Sequence, residues 1–242
     1  MYGFIITTHY NNYDLIFKSL TLLIKHIPND SYIIVYINET KCDKVLNLST
    51  EFKSTEFKST EFKSTEFIYI DDQVKNNGLT GTWNAGILKC IKKKCDVISI
   101  LGHDTFVNES IKLLLNKVKD SQINNKLEYF APLYFNYKNK TDELWQDSIH
   151  YKKHNCKFLI GSFLSFPINS LIKMIEKYDF YFDELKYPFG YNDIDFYEKF
   201  INIGGKGIII NECILDHEYK RSWVDMKNIN WIEYMRQHGL NI

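Results

Sequence analysis

Apolar residues in this chain come in short runs separated by polar stretches, and their spacing predicts alternating strands and helices. Residues 3–8 form an apolar run that breaks at Thr7-Thr8-His9, which predicts a first strand. Residues 14–26 place Leu15, Ile16, Leu20, Leu23 and Ile24 at helical spacing and stop near Pro28. Residues 32–37 and 67–70 predict a second and a third strand. Residues 80–91 put Trp83, Ile87 and Ile91 on one helical face, and residues 96–101 predict a fourth strand. The order β-α-β-β-α-β argues for an α/β fold with a mostly parallel central sheet and helices on both faces. Loops at the carboxyl ends of such strands form the binding crevice, so Thr8, Asn38, Asp71, Asp72 and Asp104 are expected to face one site.

The second half is less regular. Helices are predicted over residues 110–118, 170–177, 196–203 and 228–238, and strands over 127–135, 158–166, 207–210 and 212–216. No linker divides the chain, so one domain over residues 1–242 is expected. One segment breaks the pattern: Ser-Thr-Glu-Phe recurs at 49–52, 54–57, 59–62 and 64–67. A five-residue period matches neither helix nor strand, so residues 49–67 read as a lengthened surface connection, which costs little stability.

Composition narrows the class. The 242 residues, 45% hydrophobic and 25% charged, are those of a globular protein with a full-sized core. The formal net charge is zero, so nothing points to nucleic acid or an anionic membrane. Cys42, Cys90, Cys95, Cys156 and Cys213 are odd in number and contain no CxxC pair. Neither a disulfide framework nor a zinc site is indicated, and a reducing compartment is the simpler reading. No apolar run is long enough to span a bilayer and the first strand has no signal peptide before it, so a soluble, cytoplasmic protein is expected. No heptad pattern points to a dimer.

Candidate chemistry centres on Gly190-Tyr191-Asn192-Asp193-Ile194-Asp195, where two carboxylates sit at the mouth of a predicted helix. Free N–H groups and the helix dipole stabilise an ionised carboxylate there, and an ionised carboxylate can act as a base. Taken alone, the pair reads as plain N-capping. Three further segments accompany it: Ile5-Ile6-Thr7-Thr8-His9-Tyr10-Asn11; Asn77-Gly78-Leu79-Thr80-Gly81-Thr82-Trp83-Asn84-Ala85-Gly86; and Ile98-Ser99-Ile100-Leu101-Gly102-His103-Asp104-Thr105. The run Leu215-Asp216-His217-Glu218-Tyr219-Lys220-Arg221-Ser222 follows the carboxylate pair.

In this order, the segments resemble the family 2-like glycosyltransferases with the GT-A fold, over nearly the whole chain except the repeats, which implies a Rossmann-like nucleotide-binding half over residues 1–105 and an acceptor-binding half over residues 106–242. The resemblance implies transfer of a hexose or related sugar from a nucleotide-diphosphate donor to a glycan or other acceptor hydroxyl. It places Thr7, Thr8, His9 and Asn38 at the nucleoside, and Asn77, Gly78, Asn84, His103 and Asp104 beside the donor phosphates and sugar. Lys220 and Arg221 would close over the phosphates. Asp193 matches the family's catalytic base, in an inverting mechanism. Gly161, Ser162, Tyr191, Asn192 and Asp195 fall on the acceptor side, with Trp145 and Tyr191 as rings for sugar stacking. The family's Asp-x-Asp metal motif survives here only as the last acid of Gly102-His103-Asp104. Asp104 with His217 is therefore the expected holder of a divalent cation, Mn2+ or Mg2+, alongside donor phosphates. His103 has two readings, as a donor to phosphate or as a buried histidine at a strand end. A relative that binds a glycan or nucleotide-sugar without turnover is the alternative function. A sugar nucleotidyltransferase would carry a Gly-rich, Arg-containing loop after the first strand, and a dinucleotide-dependent dehydrogenase would carry GxGxxG there. This chain has neither.

Overall fold

In the computed structural model, residues 1–8, 13–37, 64–69, 78–136, 144–145, 159, 161–188 and 190–218 are described. Their strands form one nine-stranded mixed sheet. On one side of it β1 (Tyr2–Thr8), β2 (Ser31–Ile37), β3 (Ser64–Tyr69) and β4 (Val97–Gly102) run parallel in the order β3-β2-β1-β4. The described side chains of β1, β2 and β4 are almost all buried, as expected of parallel strands covered on both faces. Alternation along β1 sends Phe4 and Ile6 into one core and Ile5 into the other. Helices α1 (Tyr13–His26) and α3 (Ile111–Ile123) cover the first face. Helices α2 (Gly78–Lys92), α4 (Ile168–Tyr178) and α5 (Asn192–Asn202) cover the second. Gly86 allows α2 to lie close on β1, since an added Cβ would meet the Ile5 side chain at 2.6 Å.

Beyond β4 the sheet continues through β8 (Phe163–Pro167), β6 (Glu128–Asn136), β9 (Lys206–His217) and β5 (Thr105–Phe106), with β7 (Leu144–Trp145) paired to β6. Here only β6 and β9 are parallel to each other; β8, β7 and β5 pair antiparallel to their neighbours. Among the described residues no helix is long and apolar enough to cross a membrane. Cys90, Cys95 and Cys213 are buried free thiols.

Four elements differ from the sequence expectation. The strand expected at 158–166 starts at Phe163, because Gly161 and Ser162 form a turn whose backbone bonds elsewhere. The two strands expected at 207–216 are one strand, β9, with a register shift opposite Pro132–Leu133, where proline has no N–H to offer the ladder. The helix expected from Phe196 starts at Asn192 and so contains both candidate carboxylates.

The last difference concerns the repeats. Their final copy is not a connection, because Ser64 to Phe67 begin β3 and pair with β2. Glu66 accepts from the Tyr32 hydroxyl and lies 2.6 Å from Lys89 Nζ on α2. Repeat residues 49–63 and the helix expected at 228–238 lie outside the described residues.

Many of the abundant aromatic rings pack the core rather than line a cleft. Phe196 and Phe200 on α5 meet Tyr129 edge-on at 5.2 and 5.3 Å, and Phe196 stacks on Phe182 at 4.8 Å. This aromatic platform carries the start of α5.

Candidate active site

Asp193 stands in the first turn of α5 with each carboxylate oxygen on a backbone donor. Gly161 N–H donates to Oδ2 at 3.0 Å, and Ile194 N–H to Oδ1 at 3.0 Å. A carboxylate oxygen can accept a second bond, so among the described residues these two bonds do not fill either oxygen. Burial pushes the Asp193 carboxyl above the ordinary aspartate value, although these backbone N–H bonds oppose the rise. Gly161 must be glycine for this approach: an added Cβ would lie 2.9 Å from Trp83 Cη2 and 3.6 Å from Asp193 Oδ2.

Asp195, two residues on, is spent differently. Lys199, one helical turn later, bonds its carboxylate and lies 3.7 Å from Asp183. Asp195 is therefore paired within α5, and Lys199 in turn reaches the segment before the helix. Tyr191 precedes the helix in the left-handed region at φ 60°, and its carbonyl accepts the Asp195 N–H at 2.9 Å. The neighbouring Gly190 is not in that region, so the strained position is held by the residue with the ring.

A second corner forms where β4 turns into β5. The ladder pairs Thr105 with His217, and Glu218 N–H donates to the Asp104 carbonyl at 2.9 Å. This pairing sets His217 Nε2 3.6 Å from Asp104 Oδ1. Burial raises the Asp104 carboxyl, but hydrogen bonding and charge from His217, with charge from His103, outweigh it and hold the group below the ordinary value. His103 is buried, with Nδ1 3.4 Å from the Thr7 carbonyl. The dipeptide Gly161-Ser162 joins the two corners. Gly161 touches Asp193, while the Ser162 carbonyl accepts from Gly102 N–H and Thr105 Oγ1, both at 3.0 Å.

At the ends of β1 and β2, the hydroxyls of Thr7, Thr8 and Tyr36 are buried with no hydrogen-bond partner among the described residues. The Trp83 indole N–H is also buried without one. Buried polar atoms are ordinarily paired, so orphans at the carboxyl end of a parallel sheet suit a polar ligand.

No protein-family model and no curated protein matches this sequence. Solved structures do match in shape. GalNAc-T7, determined with UDP, GalNAc and Mn2+, superposes with a TM-score of 0.64 at 12% identity, over 92% of this chain and 44% of that one. The mannosyltransferase PcManGT from Pyrobaculum calidifontis, in complex with GDP-Man and Mn2+, gives 0.62 at 11% identity, over 91% and 57%. Residues 1–349 of S. aureus TarS give 0.62 at 12% identity, over 90% and 60%. The chain has the GT-A fold. It spans less than two thirds of the length of these solved chains.

Within this GT-A fold, the expected residues divide into three groups. Thr7, Thr8, Gly78, His103, Asp104 and His217 lie at strand ends or at the start of α2, and Gly161, Ser162, Tyr191 and Asn192 lie around Asp193. Asn84 and Asp195 carry structural bonds. The Asn84 amide clamps the backbone of Phe182 on both its N–H and C=O, and also donates to Glu184. His9, Asn38, Asp71, Asp72, Asn77, Lys220 and Arg221, and the Trp145 side chain, lie outside the described residues. Sequence reasoning missed two participants, Trp83 beside Gly161 and Thr80 beneath Asn192. Both sit in a stretch singled out for its asparagines and glycines; helical periodicity marks Trp83 only as a packing position and does not mark Thr80.

The Asp104–His217 corner fits a divalent cation of the Mn2+ or Mg2+ type. Two adjacent ligands on an octahedral ion, each about 2.1 Å from it, lie about 3 Å apart. An oxygen and a nitrogen at 3.6 Å are close to that spacing. Among the described residues no group of three or more His, Cys, Asp or Glu could hold a metal, so a cation at this corner would take two ligands from it and the rest from phosphate and water.

Proposed function

We propose that this chain is an inverting glycosyltransferase that moves a sugar from a nucleotide-diphosphate donor to an acceptor hydroxyl, with Asp193 as general base. The observation that carries this reading is the Gly161-Ser162 dipeptide, which holds the base on one side and the Asp104 turn on the other. A donor lying over the strand ends has its diphosphate at Asp104 and His217. Its anomeric carbon then faces an acceptor held beside Asp193.

In the reaction, Asp193 takes the acceptor O–H proton as that oxygen attacks the anomeric carbon. The bond from that carbon to the diphosphate breaks in the same in-line displacement, and its electron pair leaves with the diphosphate. Positive charge develops on the sugar ring. The carboxylate is ready for this role because both oxygens are already oriented by backbone donors. Asp104 and His217 would hold the cation, which supplies charge stabilisation for the departing diphosphate. Lys220 and Arg221 are assigned to the phosphates, and Tyr191 to the acceptor. Because UDP, GDP-Man and Mn2+ accompany the structural neighbours, UDP- and GDP-sugars with Mn2+ are the first donors to test.

Asp193→Asn tests the reading. The variant should keep nucleotide binding by thermal shift and lose about 10²- to 10⁴-fold in kcat. Transfer at the wild-type rate would remove Asp193 from the mechanism. A binder of nucleotide-sugar without turnover is the second reading, favoured by the single acid of Gly102-His103-Asp104. A thermal shift with a donor, joined to no transfer to any acceptor, would move it ahead.

A further inference from the structure

We infer that Thr80 and Asn192 form a positioning pair that locks the Asp193 backbone to the first turn of α2, so that the base is held in register with the donor side of the site. The inference rests on the reading of Asp193 as base.

Thr80 is fully buried, and its backbone N–H donates to the Pro188 carbonyl at 3.0 Å. Its hydroxyl donates to the Tyr187 carbonyl, an atom that can only accept. With its one proton committed, Thr80 Oγ1 can only accept from other neighbours. The neighbour is Asn192 Nδ2, which donates to it at 2.9 Å. The amide's other end, Asn192 Oδ1, accepts the Asp193 N–H at 3.0 Å. Every bond in this chain thus has one permitted direction, running Asp193 N–H to Asn192 to Thr80 to Tyr187.

The same directions suit an amide at 192 and disfavour a carboxylate. A carboxylate there would still accept from Asp193 N–H. Its second oxygen, however, would face Thr80 Oγ1 with no proton between them, a repulsive contact in a buried site. Neither Thr80 nor Asn192 needs to touch the reacting atoms. They act through the backbone of Asp193, whose side chain Gly161 and Ile194 then orient. Gly78, two residues before Thr80, opens α2. A displacement of α2 therefore reaches Asp193 through two side chains.

The test compares Thr80→Val, which keeps the shape and removes the hydroxyl, with Thr80→Ser, which keeps the hydroxyl, and with Asn192→Asp. Thr80→Val and Asn192→Asp should lower kcat by about ten- to a hundredfold with little change in the donor KM, while Thr80→Ser stays near wild type. Wild-type kcat in Thr80→Val, or equal loss in the Ser and Val variants, would overturn the pair. Amide hydrogen exchange provides a readout that needs no activity: Asp193 N–H should lose protection in Thr80→Val and keep it in Thr80→Ser. Equal protection in both would overturn the inference. If the wild type transfers no sugar yet this exchange pattern is found, the functional reading fails and the pair stands. If Thr80→Val does not fold, the Asn192→Asp kinetics decide, and wild-type kcat there overturns the pair.

Discussion

At the scale of single residues, the two carboxylates of Asn192-Asp193-Ile194-Asp195 are separated by what surrounds them. Burial raises both carboxyls, but Asp195 is matched by a lysine one turn away, whereas among the described residues Asp193 meets only backbone donors. A base works ionised, and a raised value means that protonation sets in at higher pH than for an ordinary aspartate. The acid limb of kcat/KM against pH should therefore fall above pH ~3.9, the unperturbed aspartate value. A limb at or below that value would show that the titrating base is not this buried group. The pair was legible in the sequence as two acids at a helix mouth. Which of them is free was not, because Lys199 and Gly161 reach them by side-chain direction and by a turn 32 residues away.

At the scale of elements, α2 is the joint of the site. Gly86 lets it sit on β1, and Gly86→Ala should cost about 1–3 kcal/mol of unfolding free energy, since the new methyl meets Ile5 at 2.6 Å. Chemical denaturation measures this directly, and an unchanged midpoint would mean that α2 moves off the sheet without cost. The last repeat copy is an element in its own right, as the edge of the parallel half. Bonds from Lys89 and Tyr32 hold the Glu66 carboxyl below its ordinary range. A depressed carboxylate contributes stability above its unfolded value, and this is lost as pH falls through the folded one. Glu66→Gln should therefore destabilise at pH 7 by less than about 1 kcal/mol, as befits a half-exposed pair. Its difference from wild type should vanish in acid. A constant difference across that range would show that the effect is packing, not charge. The five-residue period concealed only where this strand begins, three residues before the predicted 67–70, because pairing with β2 decides its extent and internal repetition does not.

At the scale of the whole molecule, the sheet brings together groups that the chain keeps far apart. Cation dependence belongs here, because the corner exists only once β9 has returned His217 to the turn after β4. EDTA should abolish transfer and Mn2+ should restore it, with Asp104→Asn and His217→Ala each weakening the Mn2+ response. Full activity in EDTA would remove the cation from the mechanism. A donor at a hundred times its dissociation constant should add about 2.7 kcal/mol of stability, and Mn2+ should enlarge that shift. The sequence alone determined the parallel half of the sheet, the phases of its helices and the helix-mouth position of Asp193, because hydrophobic periodicity acts over a few residues. The tertiary structure decided the rest: Asp104 beside His217, Gly161 on Asp193, and Thr80 bonded to Asn192 from 112 residues away. Those contacts depend on strand pairing and bond direction across the fold, which no local pattern encodes.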